Sequence, residues 1–227
     1  MQFKPEMLHC YLIGGSQDVD HDPTKFLLKL TTACQAGITA FQFREKSDLV
    51  EYDVYALGFQ VRTICSQFQV PLFVDDNLEL AQKINADGIH VGQKDQPIEE
   101  VIQAAGDDLM IGYSCNTVAQ VEHANQVQVD YIGSGPIYPT KSKADADPAL
   151  GVKELGHLVQ ISQHPVVAIG GITPAKVPEV LTSGCAGISA IAGIFDNLAA
   201  GMPAGPDNPV SQILNCYWSL NPQTKNC

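Results

Sequence analysis

The sequence predicts an α/β protein built as a single (β/α)8 TIM barrel. Runs of apolar residues alternate with stretches of helical spacing eight times along the 227 residues. The apolar runs lack the polar alternation of a half-exposed sheet, so they indicate parallel strands buried on both faces. A chain of this length also fits one barrel domain. We expect the barrel to occupy residues 1–200, and residues 201–227 to form a Gly/Pro-rich turn and a helix that packs on it.

Each predicted strand is a short apolar run that begins just after a tight turn of small residues. The segments Ala36-Gly37-Ile38 and Cys185-Ala186-Gly187-Ile188 repeat this arrangement and give the chain a weak internal period. Eight such units in one domain favour a closed barrel over an open doubly wound sheet. The predicted strands span residues 9–13, 40–46, 71–76, 88–92, 110–114, 131–135, 166–171 and 187–191.

Helical patterns occupy the segments between these strands. Apolar residues recur there three and four positions apart, as on the buried face of a helix. In the tail, Asn208 can cap a helix whose first residue is Pro209. The predicted barrel helices lie near residues 26–33, 55–68, 78–81, 101–105, 118–124, 155–161 and 177–181.

The composition limits the partners of the protein. The 25 acidic and 13 basic residues give a net charge of −12, which argues against nucleic acid or an anionic membrane as a partner. An anionic small molecule would need a local cluster of bases or a metal ion. The seven cysteines are scattered without a Cys-x-x-Cys pair, and no apolar stretch approaches membrane-spanning length. We therefore expect a cytoplasmic protein with reduced thiols, either a monomer or a homo-oligomer.

Polar and charged residues gather at the C-terminal ends of the predicted strands, on the face where such barrels carry their active sites. Each residue has an ordinary alternative role; Asp76 or Asn77, for example, can cap the next helix. Their joint placement favours a binding site. The residues are Gln42, Arg44, Lys46, Asp75, Asp76, Asp95, Ser114, Thr140, Ser142 and Lys143, with Gly171 and the pair Ile191-Ala192 on the last two strands.

The chemistry of this set suits anionic ligands. Arg44, Lys46 and Lys143 bring three cations to one mouth. Asp76 and Asp95 add two hard oxygen ligands from neighbouring strands, which suits Mg²⁺ together with the oxygens of a diphosphate. Backbone N–H groups near the ends of strands seven and eight can form a second anion site. The residues thus indicate two bound anionic groups, one with a metal ion, but they do not identify the reaction.

Five segments in order resemble the thiamine-phosphate synthase family. They are residues 41–46 (FQFREK), 74–76 (VDD), 88–95 (GIHVGQKD), 135–143 (GPIYPTKSK) and 169–172 (IGGI). The resemblance implies a transferase that joins hydroxymethylpyrimidine diphosphate to a thiazole phosphate and releases pyrophosphate. In that family the diphosphate leaves first, and the thiazole nitrogen captures the resulting pyrimidine carbocation. The substrates are small molecules, and the implied cofactor is Mg²⁺.

The resemblance also implies a role for each matching residue. Asp76 and Asp95 would hold Mg²⁺, and no residue would act as a nucleophile. Gln42 and Ser114 would contact the pyrimidine or the departing group. The catalytic residues would be Arg44, Lys46, Ser114 and Lys143. The substrate-binding residues would be Gln42, Phe43, Arg44, Glu45, Lys46, Asp75, Ser114, Thr140, Lys141, Ser142, Lys143, Gly171, Ile191 and Ala192.

Three positions depart from the family pattern. Asp75 replaces the usual asparagine before the metal aspartate and adds a negative charge there. Ser142 replaces a threonine but keeps the hydroxyl, and Ala192 replaces a small polar residue but keeps the backbone N–H. The loop of residues 139–150 is charged and lacks an apolar pattern, so we expect it to order over bound substrate.

Two alternatives remain at this point. A related thiazole tautomerase would be expected to carry a histidine two residues after Ser114, where this chain has Asn116, and should not need the loop of residues 138–143. A non-catalytic paralogue that binds thiazole or thiamine phosphate is the second alternative, and Asp75 is the one feature that favours it.

Overall fold

The fold was taken from a computed structural model, in which residues 1–142 and 147–220 are described. Eight parallel strands form a closed barrel in sequence order, and β8 pairs with β1. The predicted (β/α)8 barrel is therefore confirmed. The strands are β1 Cys10–Gly14, β2 Ala40–Phe43, β3 Leu72–Asp75, β4 Gly88–Val91, β5 Met110–Ser114, β6 Tyr131–Ser134, β7 Val166–Ile169 and β8 Gly187–Ala190.

Helices follow the strands and cover the outside of the barrel. Three short 3-10 segments accompany them, at Pro5–Leu8, Ser16–Asp18 and Pro174–Lys176. No helix in the described parts of the chain combines the length and apolar character needed to cross a bilayer. The helices are α1 Pro23–Ala36, α2 Glu51–Gln67, α3 Leu78–Lys83, α4 Ile98–Ala105, α5 Val118–Ala124, α6 Gly151–Ile161, α7 Val177–Leu181, α8 Ala192–Phe195 and α9 Pro209–Leu220.

Strand β2 ends earlier than the sequence predicts. The predicted strand runs to residue 46, whereas the structure ends it at Phe43. The backbone N–H of Arg44 still donates to Gly14 O at 3.0 Å, but the N–H of Lys46 donates to the side chain of Gln17 at 2.9 Å. The chain therefore leaves the sheet at the point where its charged residues begin, because side chains of the β1–α1 segment replace the strand partner.

The barrel interior is filled by side chains at the N-terminal half of the strands and is open at the C-terminal half. Large inward side chains pack at the N-terminal half of the strands, including Tyr11, Phe73 and Tyr131. Gly112 makes this packing possible, because a Cβ there would lie 2.2 Å from Tyr131 Cζ and 2.4 Å from His90 Nδ1. The larger apolar core lies between the outer faces of the strands and the helices. The unfilled C-terminal half of the interior is the cavity described below.

Helix α9 packs on the barrel through its apolar face. Asn208 accepts hydrogen bonds from the N–H groups of Val210 (3.0 Å) and Ser211 (3.4 Å) at the helix start. Ile213 and Leu214 are buried, and the Tyr217 ring stacks on His9 with 3.9 Å between ring centroids. His9 directly precedes β1, so this contact lies at the end of the barrel opposite the cavity.

Candidate active site

A cavity of about 770 Å³ occupies the C-terminal end of the barrel. A smaller one of about 250 Å³ adjoins it and shares Arg44, Asp75, Asp95 and Ser114 as lining residues. Most of the residues predicted from the sequence line this combined space. Those in the larger cavity are Gln42, Arg44, Asp75, Asp95, Ser114, Thr140, Lys141, Ser142, Gly171, Ile191 and Ala192, and Lys46 and Asp76 line the smaller one.

Three predicted site residues are not placed at the cavity. The Phe43 side chain is buried on the outer face of β2 and stacks on Phe26, with ring centroids 6.2 Å apart. The Glu45 carboxylate accepts hydrogen bonds from the N–H and hydroxyl of Ser16 at 2.8 and 2.9 Å. Phe43 thus packs in the outer core, and Glu45 holds the loop after β2 against the start of the β1–α1 segment; neither lines the cavity. Lys143 lies outside the described residues.

The cations of the β2 loop are paired with the acids at the end of β3. Asp75 Oδ2 lies 3.3 Å from Arg44 Nε and 3.3 Å from Lys46 Nζ. Lys46 Nζ also donates to Asp76 Oδ2 at 2.8 Å. Burial alone would lower the pKa of Lys46, but the two carboxylates more than offset this and raise its pKa. The group is therefore a charged cation–carboxylate cluster at the mouth of the barrel.

Asp76 is free from helix capping. Asn77 accepts the N–H of Leu80 at 2.8 Å and is therefore the cap of α3. The Asp76 backbone has φ of 60°, and its N–H donates to His90 O at 2.9 Å. The capping alternative thus applies to Asn77, and the Asp76 carboxylate points into the smaller cavity.

The carboxylates of Asp76 and Asp95 fit a magnesium ion. Burial, then the adjacent Asp76 carboxyl, raises the pKa of Asp95, so the two acids lie side by side and a cation would relieve the repulsion between their ionised forms. Within residues 1–142 and 147–220, no group of three or more His, Cys, Asp or Glu side chains is arranged to hold a metal. Two protein carboxylates suit Mg²⁺, because this ion usually keeps several waters and takes phosphate oxygens from a substrate.

A chain of hydrogen bonds crosses the cavity floor. His90 Nε2 lies 2.9 Å from Ser114 Oγ, and His90 Nδ1 lies 3.1 Å from Tyr131 OH. Tyr131 OH lies 2.9 Å from Tyr11 OH, which accepts a hydrogen bond from Gln42 Nε2 at 3.1 Å. Burial raises the pKa of both tyrosines, so they remain protonated. This network can offer donors and acceptors to the edge of a polar heterocycle.

The sequence interpretation missed three members of this network, Tyr11, His90 and Tyr131. Each lies within an apolar run and was counted only as strand. The available signal is their parity: Tyr11, His90 and Tyr131 each lie two residues before a residue that lines the cavity, namely Ile13, Gly92 and Gly133.

The far side of the cavity is formed by the turn after β7 and the loop after β6. Gly170 and Gly171 have φ of 98° and 64°, and a Cβ on Gly171 would lie 2.7 Å from Pro139 O. The N–H of Tyr138 donates to Gly170 O at 3.0 Å. These contacts hold the base of the loop that carries Thr140 and Ser142 against the turn.

One buried hydroxyl on this side has no hydrogen-bond partner among the residues that the structure describes. Ser189, on β8, is 1% exposed and lines the larger cavity. Its Oγ makes no hydrogen bond to any described residue. Ser134, at the end of β6, is equally buried, but its hydroxyl donates to Cys115 O at 2.7 Å.

Asn116 holds two loops together. Its Oδ1 accepts the N–H of Gly135 at 2.9 Å, and its Nδ2 donates to Asp147 Oδ2 at 3.2 Å. The tautomerase alternative expects a histidine at this position. Asn116 cannot replace it, because an amide does not act as an acid or base at neutral pH.

The comparisons with known proteins agree with this site. Residues 10–194 match the family model TMP-TENI, thiamine monophosphate synthase. The thiamine-phosphate synthase of Limosilactobacillus fermentum is 60% identical over 219 residues, covering 96% of this chain and 100% of that protein. The corresponding protein of Limosilactobacillus reuteri is 52% identical over 200 residues, covering 87% of this chain and 93% of the relative.

Among solved structures, thiamine phosphate pyrophosphorylase from Pyrococcus furiosus is similar, with a TM-score of 0.81 and 27% identity over 95% of this chain and 98% of that one. 3-Hexulose-6-phosphate synthase shares the fold at 12% identity, with a TM-score of 0.63 over 91% of this chain and 99% of that one. The family match covers most of the barrel, and the sequence relatives extend over nearly the whole chain. The chain therefore belongs to the thiamine monophosphate synthase family.

Proposed function

We propose that this protein joins hydroxymethylpyrimidine diphosphate to hydroxyethylthiazole phosphate and forms thiamine phosphate and pyrophosphate. The observation that carries the proposal is the cation–carboxylate cluster of Arg44, Lys46, Asp75 and Asp76, which opens into a cavity large enough for two substrates. The relatives that cover 96% and 87% of this chain carry this activity in their names. The proposed enzyme is cytoplasmic, acts on small molecules and is a monomer or homo-oligomer.

The diphosphate is proposed to bind beside β2 and β3. Arg44 and Lys46 donate hydrogen bonds to its oxygens. To do so they leave the carboxylates at the end of β3, which requires only movement of the side chains. Asp76 and Asp95 would hold Mg²⁺, which when bound neutralises charge on the diphosphate and makes it a better leaving group. Lys143 remains in the proposal as a third cation.

The pyrimidine is proposed to lie on the cavity floor. Gln42 and Ser114 face it directly, and His90 and Tyr11 fix their orientation through the hydrogen bonds described above. The C–O bond to the diphosphate then breaks, the electron pair leaves with pyrophosphate, and the pyrimidine methylene becomes a cation. The fixed dipoles of the floor are placed to stabilise this cation before water can capture it.

The thiazole phosphate is proposed to occupy the opposite side. Its phosphate is bound by Thr140, Ser142, Gly171 and the backbone of Ile191 and Ala192, which all line the same cavity. The thiazole nitrogen donates its lone pair to the methylene cation and forms the C–N bond of a thiazolium. No proton is transferred, so positioning of the two rings is the principal task of the protein. Closure of the loop of residues 139–150 over the substrates remains a prediction.

The test is a pyrophosphate-release assay with both substrates and Mg²⁺. We expect turnover by the wild type and loss of metal-dependent turnover in Asp76→Ala, with an unchanged fold by circular dichroism. Asp53→Asn, an exposed acid at the start of α2, is the control and should behave as wild type. Binding of thiamine phosphate without turnover would favour the non-catalytic alternative, and unchanged turnover in Asp76→Ala would contradict the metal role.

A further inference from the structure

Lys176 is a half-buried cation at the side of the cavity opposite the diphosphate cluster. It is the last residue of the 3-10 segment before α7, and it lines the 770 Å³ cavity. Its Nζ donates to Gly171 O at 2.9 Å and lies 4.1 Å from the centroid of the Tyr138 ring. A carbonyl and an aromatic face thus hold the ammonium at the turn after β7.

No carboxylate of the described residues forms an ion pair with Lys176. The nearby acid Glu179 is engaged elsewhere, since its Oε2 accepts the hydroxyl of Tyr138 at 2.7 Å. Asp18 and Asp196 also line the cavity but make no ion pair with this ammonium. Lys176 therefore carries a charge that the surrounding protein solvates without neutralising.

Other cations that line the cavity are either paired with an acid or exposed to solvent. Arg44 is paired with Asp75 at 3.3 Å, and Lys94 and Lys141 are exposed at the rim. In a chain of net charge −12, a half-buried lysine that has no acidic partner within residues 1–142 and 147–220 is a favourable position for an anionic ligand. The carbonyl and ring contacts leave the ammonium with donor capacity for that ligand, because an ammonium has three N–H groups.

We infer that Lys176 determines specificity for the phosphate of the thiazole substrate, by placing its ammonium against that group. The inference rests on the proposed function. Gly171, whose carbonyl holds Lys176, belongs to the turn where the phosphate is proposed to bind, so the ammonium reaches the phosphate by rotation of its terminal bonds. The Tyr138 ring limits where the lysine stem can go and keeps the cation facing the cavity.

The decisive measurement compares hydroxyethylthiazole phosphate with the unphosphorylated hydroxyethylthiazole as second substrate. We expect Lys176→Met to raise KM for the phosphorylated substrate by roughly 10- to 100-fold, the usual effect of losing a hydrogen bond to a charged group. KM for the alcohol and KM for the pyrimidine diphosphate should stay within about twofold. Lys176→Arg should recover part of the affinity, and Lys153→Met, an exposed lysine on α6, should match wild type.

An equal loss with both thiazole substrates would show a merely structural role for Lys176 and overturn the inference, as would no change in KM. Calorimetric titration with hydroxyethylthiazole phosphate gives a readout that does not need turnover. If the wild type binds this compound but releases no pyrophosphate, the proposed function fails while the inference is still tested by comparing Kd of wild type and Lys176→Met.

Discussion

Asp75 Oδ2 and Arg44 Nε lie 3.3 Å apart, at the end of β3 and just after β2. The same carboxylate oxygen contacts Lys46. The two cations proposed to bind the diphosphate are thus held, without substrate, by an acid at a position where the family resemblance implies asparagine. The acid orients both cations and also competes with the substrate for them.

This competition predicts that Asp75→Asn lowers KM for the pyrimidine diphosphate. The amide removes one negative charge, releases Arg44 from its ion pair and can still accept a hydrogen bond, while Lys46 keeps its contact with Asp76. We expect a decrease of roughly 3- to 10-fold, equivalent to about 1 kcal/mol, measured by steady-state pyrophosphate release. Asp53→Asn serves as the charge-matched control. A rise in KM would mean that orientation of Arg44 by the carboxylate outweighs competition.

The acid pair of the proposed metal site, Asp76 and Asp95, predicts opposite effects on stability and activity. The pKa of Asp95 is raised by burial and by Asp76, so its ionised form is disfavoured in the folded, metal-free protein. Asp95→Asn should therefore leave the metal-free Tm equal or higher, while metal-dependent turnover falls by roughly 100-fold or more. Thermal melts with and without about 5–10 mM Mg²⁺ measure the rise in Tm that the ion causes. We expect this rise in the wild type and not in Asp95→Asn. A lower metal-free Tm would contradict the electrostatic account.

Gly112 is predicted to be intolerant of a methyl group. A Cβ there would lie 2.2 Å from Tyr131 Cζ and 2.4 Å from His90 Nδ1, and both rings belong to the hydrogen-bonded floor. Gly112→Ala should cost about 1–3 kcal/mol in the free energy of unfolding by urea denaturation and should also lower kcat. Gly205→Ala, whose Cβ would meet no atom within 4 Å, should be neutral.

The unpartnered hydroxyl of Ser189 predicts a contrast with Ser134. Removing a buried group that makes no hydrogen bond costs little, whereas removing one that does leaves its acceptor unsatisfied. Ser189→Ala should keep or raise the free energy of unfolding, and Ser134→Ala should lower it by about 1–2 kcal/mol. Urea denaturation of the ligand-free proteins makes the comparison. Equal losses in the two variants would mean that Ser189 has a partner in solution, such as an ordered water.

His9 predicts that stability falls on acidification. Burial lowers the pKa of His9 below 6.5, and Glu6 only partly counters this. The unfolded chain therefore binds more protons than the folded chain as pH drops below about 6.5, and the free energy of unfolding decreases. Tm is measured at pH 7.5 and near pH 5.5, which is about one unit below the ordinary histidine pKa. The fall in Tm between these two pH values should be larger in wild type than in His9→Gln. An equal fall in Tm of the two proteins would contradict the lowered pKa of His9.

The strands could be predicted from the sequence because each is buried on both faces and therefore carries a mostly apolar run. The site residues at the strand ends could also be predicted, because acids such as Asp75 and Asp76 end an apolar run abruptly. The end of β2 could not be predicted, because Gln17, which accepts a hydrogen bond from the N–H of Lys46, lies 29 residues away in the chain. Inward-facing aromatic residues such as Tyr131 were also missed, since strand parity becomes visible only when register is known.

The division of roles between Asp76 and Asn77 has a consequence for how this enzyme can change. The residue that caps α3 and the residue proposed to bind the metal ion are adjacent but separate. Substitutions that tune the helix start at position 77 can thus leave the Asp76 carboxylate in place, whereas position 76 is limited by its chemistry and by its backbone φ of 60°. A single residue with both duties would tie the folding of the third barrel unit to the occupancy of its active site.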